Sequence, residues 1–208
     1  MSFKDIEYAV SIWTPNKIAI LENGWEKQKP KWHKLIDPFI PETLGEILDV
    51  GCGIGMYYDL LAPKCKHYIG IDPVNPMIKR AMERRPSGDW RIGSIYKLPF
   101  PNNHLDLVFC WSVLIHLPHE TIERALEELW RVTRKHLLFN LYISLDEPSF
   151  SIQGSWGEYL TAMDEMWMAR TIRKMNPKTL KTKAYEPTEK LGGSRFQRYI
   201  YFLEKGNR

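Results

Sequence analysis

The chain has 208 residues, 44% of them hydrophobic and 26% charged, with a formal net charge of +4. That is long enough for one domain with a substantial core, and the balance is that of a folded protein rather than a disordered or collagen-like one. No apolar run approaches the roughly 18 residues of a membrane span, residues 1–7 lack the basic-then-apolar layout of a secretory leader, and three cysteines without a C-x-x-C pair suggest neither a disulfide framework nor a zinc site, so a cytoplasmic address and no metal are expected.

Residues 1–45 are rich in aromatics. Trp32, Leu35, Ile36 and Phe39 fall at i, i+3, i+4 and i+7, so 30–39 reads as a helix with one apolar face. Its plain role is to cover one edge of a sheet.

The stretch 47–55, Ile-Leu-Asp-Val-Gly-Cys-Gly-Ile-Gly, runs from an apolar strand into three glycines at alternate positions, and Met56 to Leu61 can begin a helix. Glycine tolerates positive φ and has no Cβ, so a ligand can lie on the backbone. The following helix start offers unpaired N–H groups. A dinucleotide fingerprint would place its third glycine where Met56 stands; the spacing here is G-x-G-x-G. Asp49, two residues before Gly51, would repel a pyrophosphate and attract a cation. The loop therefore favours a nucleoside carrying a positive group over NAD, with Asp49, Gly51, Gly53, Gly55 and the backbone of Cys52 as candidate contacts.

A second strand, 66–72, ends in Asp72 about twenty residues past the first glycine, where a ribose-binding carboxylate is expected. Asp72 can accept from both ribose hydroxyls, with Pro73 beside it. Asn75-Pro76 opens a helix through Arg85, with proline in the first turn. Residues 89–95 read as a third strand and the turn beyond it. The fourth, 105–111, is almost continuously apolar, as a strand covered on both faces should be. Its end at Trp111 lies where open α/β sheets bind ligands. Trp111 either faces a sulfonium, a cation attracted to aromatic faces, or is plain core.

Residues 121–133 form an amphipathic helix and 136–143 a fifth strand. The polar stretch 144–157, with Pro148, Gly154 and Gly157, reads as a functional loop carrying Phe150, Trp156 and Tyr159 toward the site. Residues 156–175 read as mostly helical, and 181–186 and 196–204 as two late strands. The alternation predicts a doubly wound, seven-stranded sheet with helices on both faces. From 166 onward eleven Lys and Arg stand against three Glu. This basic third is a solvated surface, an anionic-substrate site or a nucleic-acid face, although a pI near 8.8 falls short of a strongly basic footprint.

Four motifs in order, Leu48 to Gly55, Gly70-Ile71-Asp72, Leu98 to Val108 and Val113 to Leu117, resemble the class I S-adenosylmethionine-dependent methyltransferases over 45–142. The resemblance implies a Rossmann-like single domain with an antiparallel last strand: 1–45 a helical lid, 46–143 the cofactor core, 144–208 the substrate side. It implies S-adenosylmethionine as cofactor, with Asp49 near its methionine ammonium and S-adenosylhomocysteine as product. The family often sets an apolar side chain, here Met77, against the adenine. It commonly has an acidic residue where Ser94 stands, leaving adenine recognition here to Ser94 and Ile95. Its N-terminal segment often closes over the cofactor, making Tyr8, Trp13, Trp25 and His33 lid candidates, and His116 stands where it often has a histidine. A proton from the acceptor can leave to His33, His116, His119, a tyrosine such as Tyr8, or water. The expected acceptor is an O, N or C nucleophile on a small molecule, which the basic third would suit if anionic. A protein or tRNA acceptor is the alternative, and a non-catalytic cofactor binder the second one.

Overall fold

The computed structural model describes residues 11–146, 148–155, 157–191 and 193–206. Tyr8 and Trp156 lie outside them. Helix α1 (Pro15–Ile36) starts well before the expected position. Pro15, in the first turn, is its start signal, and Pro30 lies inside the helix rather than opening it. A mid-helix proline removes one backbone hydrogen bond. Packing offsets it: Ile36 is fully buried, and Trp32, Leu35 and Phe39 lie against the same cluster.

Strands β1 (Leu44–Val50), β2 (Cys65–Asp72), β3 (Asp89–Ile92), β4 (Leu105–Cys110) and β5 (Thr133–Ser144) are parallel, in the order β3-β2-β1-β4-β5. The short α2 (Tyr58–Leu61), α3 (Asn75–Arg84) and α4 (His119–Val132) connect them. All six residues of β4 are buried, and alternate side chains enter opposite cores. Val108 joins Leu48 and α4's Ile122, Leu126 and Leu129 on one face. Leu107 and Phe109 join Ile47, α1's Trp25 and Ile36 and α3's Ile78 on the other. Truncating a fully buried leucine such as Leu107 to alanine costs about 2–5 kcal/mol.

The region after β5 departs from the expected loop and long helix. Residues Phe150–Gln153 (β6) and Tyr159–Asp164 (β7) form an antiparallel hairpin, and helix α5 (Glu165–Met175) begins only after it. The cause is length. β5 outruns β4, whose pairing ends at Cys110 opposite Phe139, and β7 takes the vacated edge at Tyr142–Ser144, where bare backbone groups need partners. Asp164 then caps α5, accepting from Trp167 N at 2.8 Å, a local stop that a reading of apolar spacing passes over.

Strands β8 (Thr179–Leu191) and β9 (Ser194–Glu204) pair antiparallel, and β9 lies antiparallel along β5's other edge. The antiparallel last strand is as expected, and the two are longer than expected. The described residues thus hold the seven anticipated strands plus an inserted hairpin.

Candidate functional site

The glycine loop is bent by three positive-φ glycines, Gly51 at 73°, Gly53 at 53° and Gly55 at 74°. It is stitched to the neighbouring strand: Gly51 N and Cys52 N both donate to Ile71 O, at 2.7 and 3.1 Å. A Cβ on Gly51 would lie 2.2 Å from Val113 Cγ2, whereas one on Gly53 would meet only the Met56 methyl at 3.3 Å and the Met77 sulfur at 4.0 Å. Gly51 is therefore demanded by packing, and Gly53 leaves open backbone.

Asp72, the last residue of β2, ties the loop to the turn beyond it. Its Oδ2 accepts from Gly53 N at 3.0 Å and its Oδ1 from Val74 N at 2.8 Å. Burial pushes its carboxyl up to about 6, against those two N–H donors, which favour the charged form.

Around this edge opens a cavity of about 480 Å³, within the usual span for small-ligand sites. Gly51, Gly53, Asp72, Pro73, Met77, Ser94, Ile95, Trp111 and His116 all line it, as do Trp13 and Trp25 of the N-terminal segment. Sequence reasoning missed Gln28, Trp32, Tyr57, Tyr96 and Val113 on the same lining. Gly24, within α1, also lines it.

Other candidates fall elsewhere. Asp49 is not on the lining: it alternates with Val50, which is. Its Oδ2 accepts from the Tyr68 hydroxyl at 2.7 Å, and burial raises its carboxyl to about 7, against that hydrogen bond. It is a buried support beneath the loop. Gly55 lies behind the loop, where a Cβ would meet Trp90 at 2.7 Å. Cys52 is buried off the lining, its thiol 3.8 Å from Gly53 O. His33 is also off the lining, half-buried with Nε2 unpartnered, and burial lowers its pKa. His119, exposed beside Ser151, does not reach the cavity.

His116 ends a 3-10 turn, Leu114–His116. Its Nδ1 lies 2.9 Å from Tyr159 O of the inserted hairpin. A carbonyl only accepts, so Nδ1 carries the hydrogen and Nε2 is the ring's acceptor. Burial, the largest influence, lowers its pKa, outweighing that hydrogen bond and nearby Glu158.

The wall beside it is held in an unusual backbone. Ser112 has φ +55°, uncommon for a non-glycine residue. Its N–H donates to Asn140 Oδ1 at 2.6 Å, and Asn140 Nδ2 donates to the Tyr185 hydroxyl at 2.8 Å. The signal for this support was one asparagine within the apolar run Leu137 to Ile143.

Helix α1 contributes to the lining and is latched to α3 by charge. Glu22 accepts from Arg80 Nε and Nη2 at 3.0 and 2.9 Å and from Arg84 Nη1 at 3.0 Å. Glu26 pairs with Arg84, Lys29 with Asp59, and Lys31 with Glu186. Among the described residues no group of three or more His, Cys, Asp or Glu is arranged to hold a metal ion, and no helix is long and apolar enough to cross a membrane.

Residues 47–136 match a family model described as a methyltransferase domain. An uncharacterized methyltransferase of Schizosaccharomyces pombe is 37% identical over 102 residues, 42% of this chain and 36% of that protein. A malonyl-acyl-carrier protein O-methyltransferase of Serratia marcescens is 30% identical over 43% of this chain and 34% of its own length. A tRNA U34 carboxymethyltransferase of Methylococcus capsulatus is 33% identical over 41% of this chain and 28% of its own. The chain spans about a third of the length of the curated relatives it matches. Among solved structures, a methyltransferase from Methanosarcina mazei superposes with a TM-score of 0.66 at 17% identity, over 82% of this chain and 96% of that one. Magnesium protoporphyrin IX methyltransferase from Synechocystis, solved with bound S-adenosylhomocysteine, gives 0.61 at 16% identity over 86% and 83%.

Proposed function

We propose that this chain, whose residues 47–136 match a methyltransferase-domain model, is a class I S-adenosylmethionine-dependent methyltransferase whose cavity transfers the methyl group of S-adenosylmethionine to a small-molecule acceptor. One observation carries the reading: Asp72 sits at the cavity edge, fixed by two backbone donors, with acceptor capacity left on both oxygens for a ribose. The residues present fit the nucleoside. Gly53 offers bare backbone, and Met77, Ile71 and Ile95 make an apolar slot beside Ser94.

S-adenosylmethionine, when bound, supplies an electrophilic methyl on a sulfonium. The chain's part is to orient, exclude water and take a proton, and positioning of this kind supplies much of a rate enhancement. Trp111 and Val113 form the wall beyond the glycine loop. Trp25 of helix α1, and Trp13 just before that helix, line the same cavity. We assign the proton from the nucleophile to His116, which lines the cavity and whose Nε2 is the ring's acceptor.

Three cations of the basic C-terminal third have carboxylate partners nearby: Lys174 pairs with Glu123, Arg195 with Asp146, and Arg198 with Glu186 and Glu189. Calorimetry tests the reading. S-adenosylhomocysteine should bind and NAD should not, and the reverse result sinks it. Steep salt dependence of acceptor affinity would instead favour tRNA.

A further inference from the structure

The cavity carries few charges. Asp72 is its single carboxylate among the described residues, and no Lys or Arg lines it. An acceptor bearing a phosphate or carboxylate would meet no counter-charge, and an unpaired anion in an apolar site is costly. The anionic acceptor expected from the basic third therefore finds no cation here.

Indole and phenol rings replace charge. Trp13, Trp25, Trp32 and Trp111 line the cavity, half of the chain's eight tryptophans. Tyr57 meets Trp25 edge-on at 4.7 Å, and Tyr185 lies between Trp111, at 5.6 Å, and Trp32, at 6.0 Å. Such walls suit a flat ring, which gains from offset and edge contacts. They also suit an ammonium, and His116 separates the two. Its Nδ1 is spent on Tyr159 O, so Nε2 accepts, and what it needs opposite is a proton donor with a nucleophilic atom behind it.

We infer that the methyl acceptor is a small uncharged aromatic alcohol, held flat between tryptophans with its hydroxyl on His116 Nε2. This deepens the methyl-transfer reading and rests on it. Proton affinity selects the phenol. A phenolic hydroxyl, near 10 as in tyrosine, lies within reach of an imidazole, whereas water at about 15.7 marks how far off an alkanol stands. The balance closes: the oxygen forms a bond to the methyl carbon, the carbon–sulfur bond breaks with its electron pair staying on sulfur, and the hydroxyl proton passes to Nε2. One positive charge moves from sulfonium to imidazolium and the cavity's total is unchanged. An anionic acceptor would lower that total with nothing on the wall to balance it.

The test uses four probes of one shape: 2-naphthol, 2-naphthoate, 2-naphthyl phosphate and 2-naphthylmethylammonium. Each is titrated calorimetrically into the protein saturated with S-adenosylhomocysteine, then incubated with methyl-labelled S-adenosylmethionine. Expected are binding of 2-naphthol at least tenfold tighter than of the other three, and label on its oxygen. Gln28→Lys, at an exposed place on the lining, should narrow the gap to 2-naphthoate by roughly tenfold. Tighter binding of an anion or the ammonium, no binding of 2-naphthol, or label reaching only RNase-sensitive material from cell extract overturns the inference while leaving methyl transfer standing. Failure of S-adenosylhomocysteine itself to bind overturns the function proposed above.

Discussion

Asp72→Asn separates the carboxylate's two tasks. The wild-type group is buried, and its pKa of about 6 against an ordinary value of 3.8 means that ionisation costs the folded apoprotein roughly 3 kcal/mol at neutral pH. By sign, that cost is present above pH 6 and vanishes as pH falls toward 4. Asparagine removes it but has one acceptor oxygen for two backbone donors, Gly53 N and Val74 N. One N–H is left facing an amide N–H, at about 1–3 kcal/mol. The two terms nearly cancel, so the apoprotein's Tm should move little. Binding has no such compensation. Two charge-assisted ribose bonds at roughly 1.5 kcal/mol or more each amount to at least about a hundredfold in Kd. In wild type, the Kd should also rise as pH falls below about 6, approaching tenfold per unit. Thermal melts with and without S-adenosylhomocysteine, with calorimetry from pH 5 to 8, read both effects. An Asp72→Asn variant binding within threefold of wild type refutes the reasoning. So does a pH-independent Kd.

Three further substitutions probe the rest of the site. His116→Gln should lower kcat by about 10²–10⁴ while leaving S-adenosylhomocysteine affinity within threefold. Wild-type activity should fall on the acid side through a pKa below the ordinary histidine value, since burial holds the imidazole neutral, and an unchanged kcat removes His116 from the mechanism. Gly51→Ala combines a positive φ, worth about 1–2 kcal/mol, with a Cβ only 2.2 Å from Val113 Cγ2. Its melting temperature should drop by several degrees, Val113→Ala should restore part of the loss, and absence of any recovery contradicts the packing described. Glu22→Gln cuts the latch to Arg80 and Arg84. These pairs are part-buried, and losing the charge should appear as faster proteolysis of α1 and weaker salt dependence of cofactor affinity than wild type, and identical salt profiles argue against a latch.

The sheet order and the glycine loop were legible because each carries its signal locally. An almost continuously apolar run such as Leu105–Cys110 can be little else than a central strand, and three glycines after Val50 mark a bend against another backbone. The place of Asp72 at the cavity edge was readable from its spacing. The place of Asp49 off the lining was not, because strand alternation rather than motif order decides which carboxylate faces the cavity. The β6–β7 hairpin was hidden because its cause, an overhang of β5 beyond β4, is a property of two strands compared and not of residues 150–164. The start of α1 was obscured by Pro30, whose cost is met by tertiary packing. Asn140 and Tyr185 showed no periodic signal, since they act on Ser112 from strands far away in sequence.

With the charge of Glu158 nearby, the inserted hairpin holds the His116 imidazole through a main-chain carbonyl, that of Tyr159. Side-chain identity at that position can therefore drift without disturbing the proton on Nδ1, whereas a one-residue shortening of the β6–β7 turn would swing the carbonyl off the ring and free both tautomers. The contacts proposed for the nucleoside, Gly53 and Asp72, are held by one another just beyond β1 and at the end of β2, so a change in the length of that ribbon should leave S-adenosylhomocysteine affinity as it is even where it alters the imidazole.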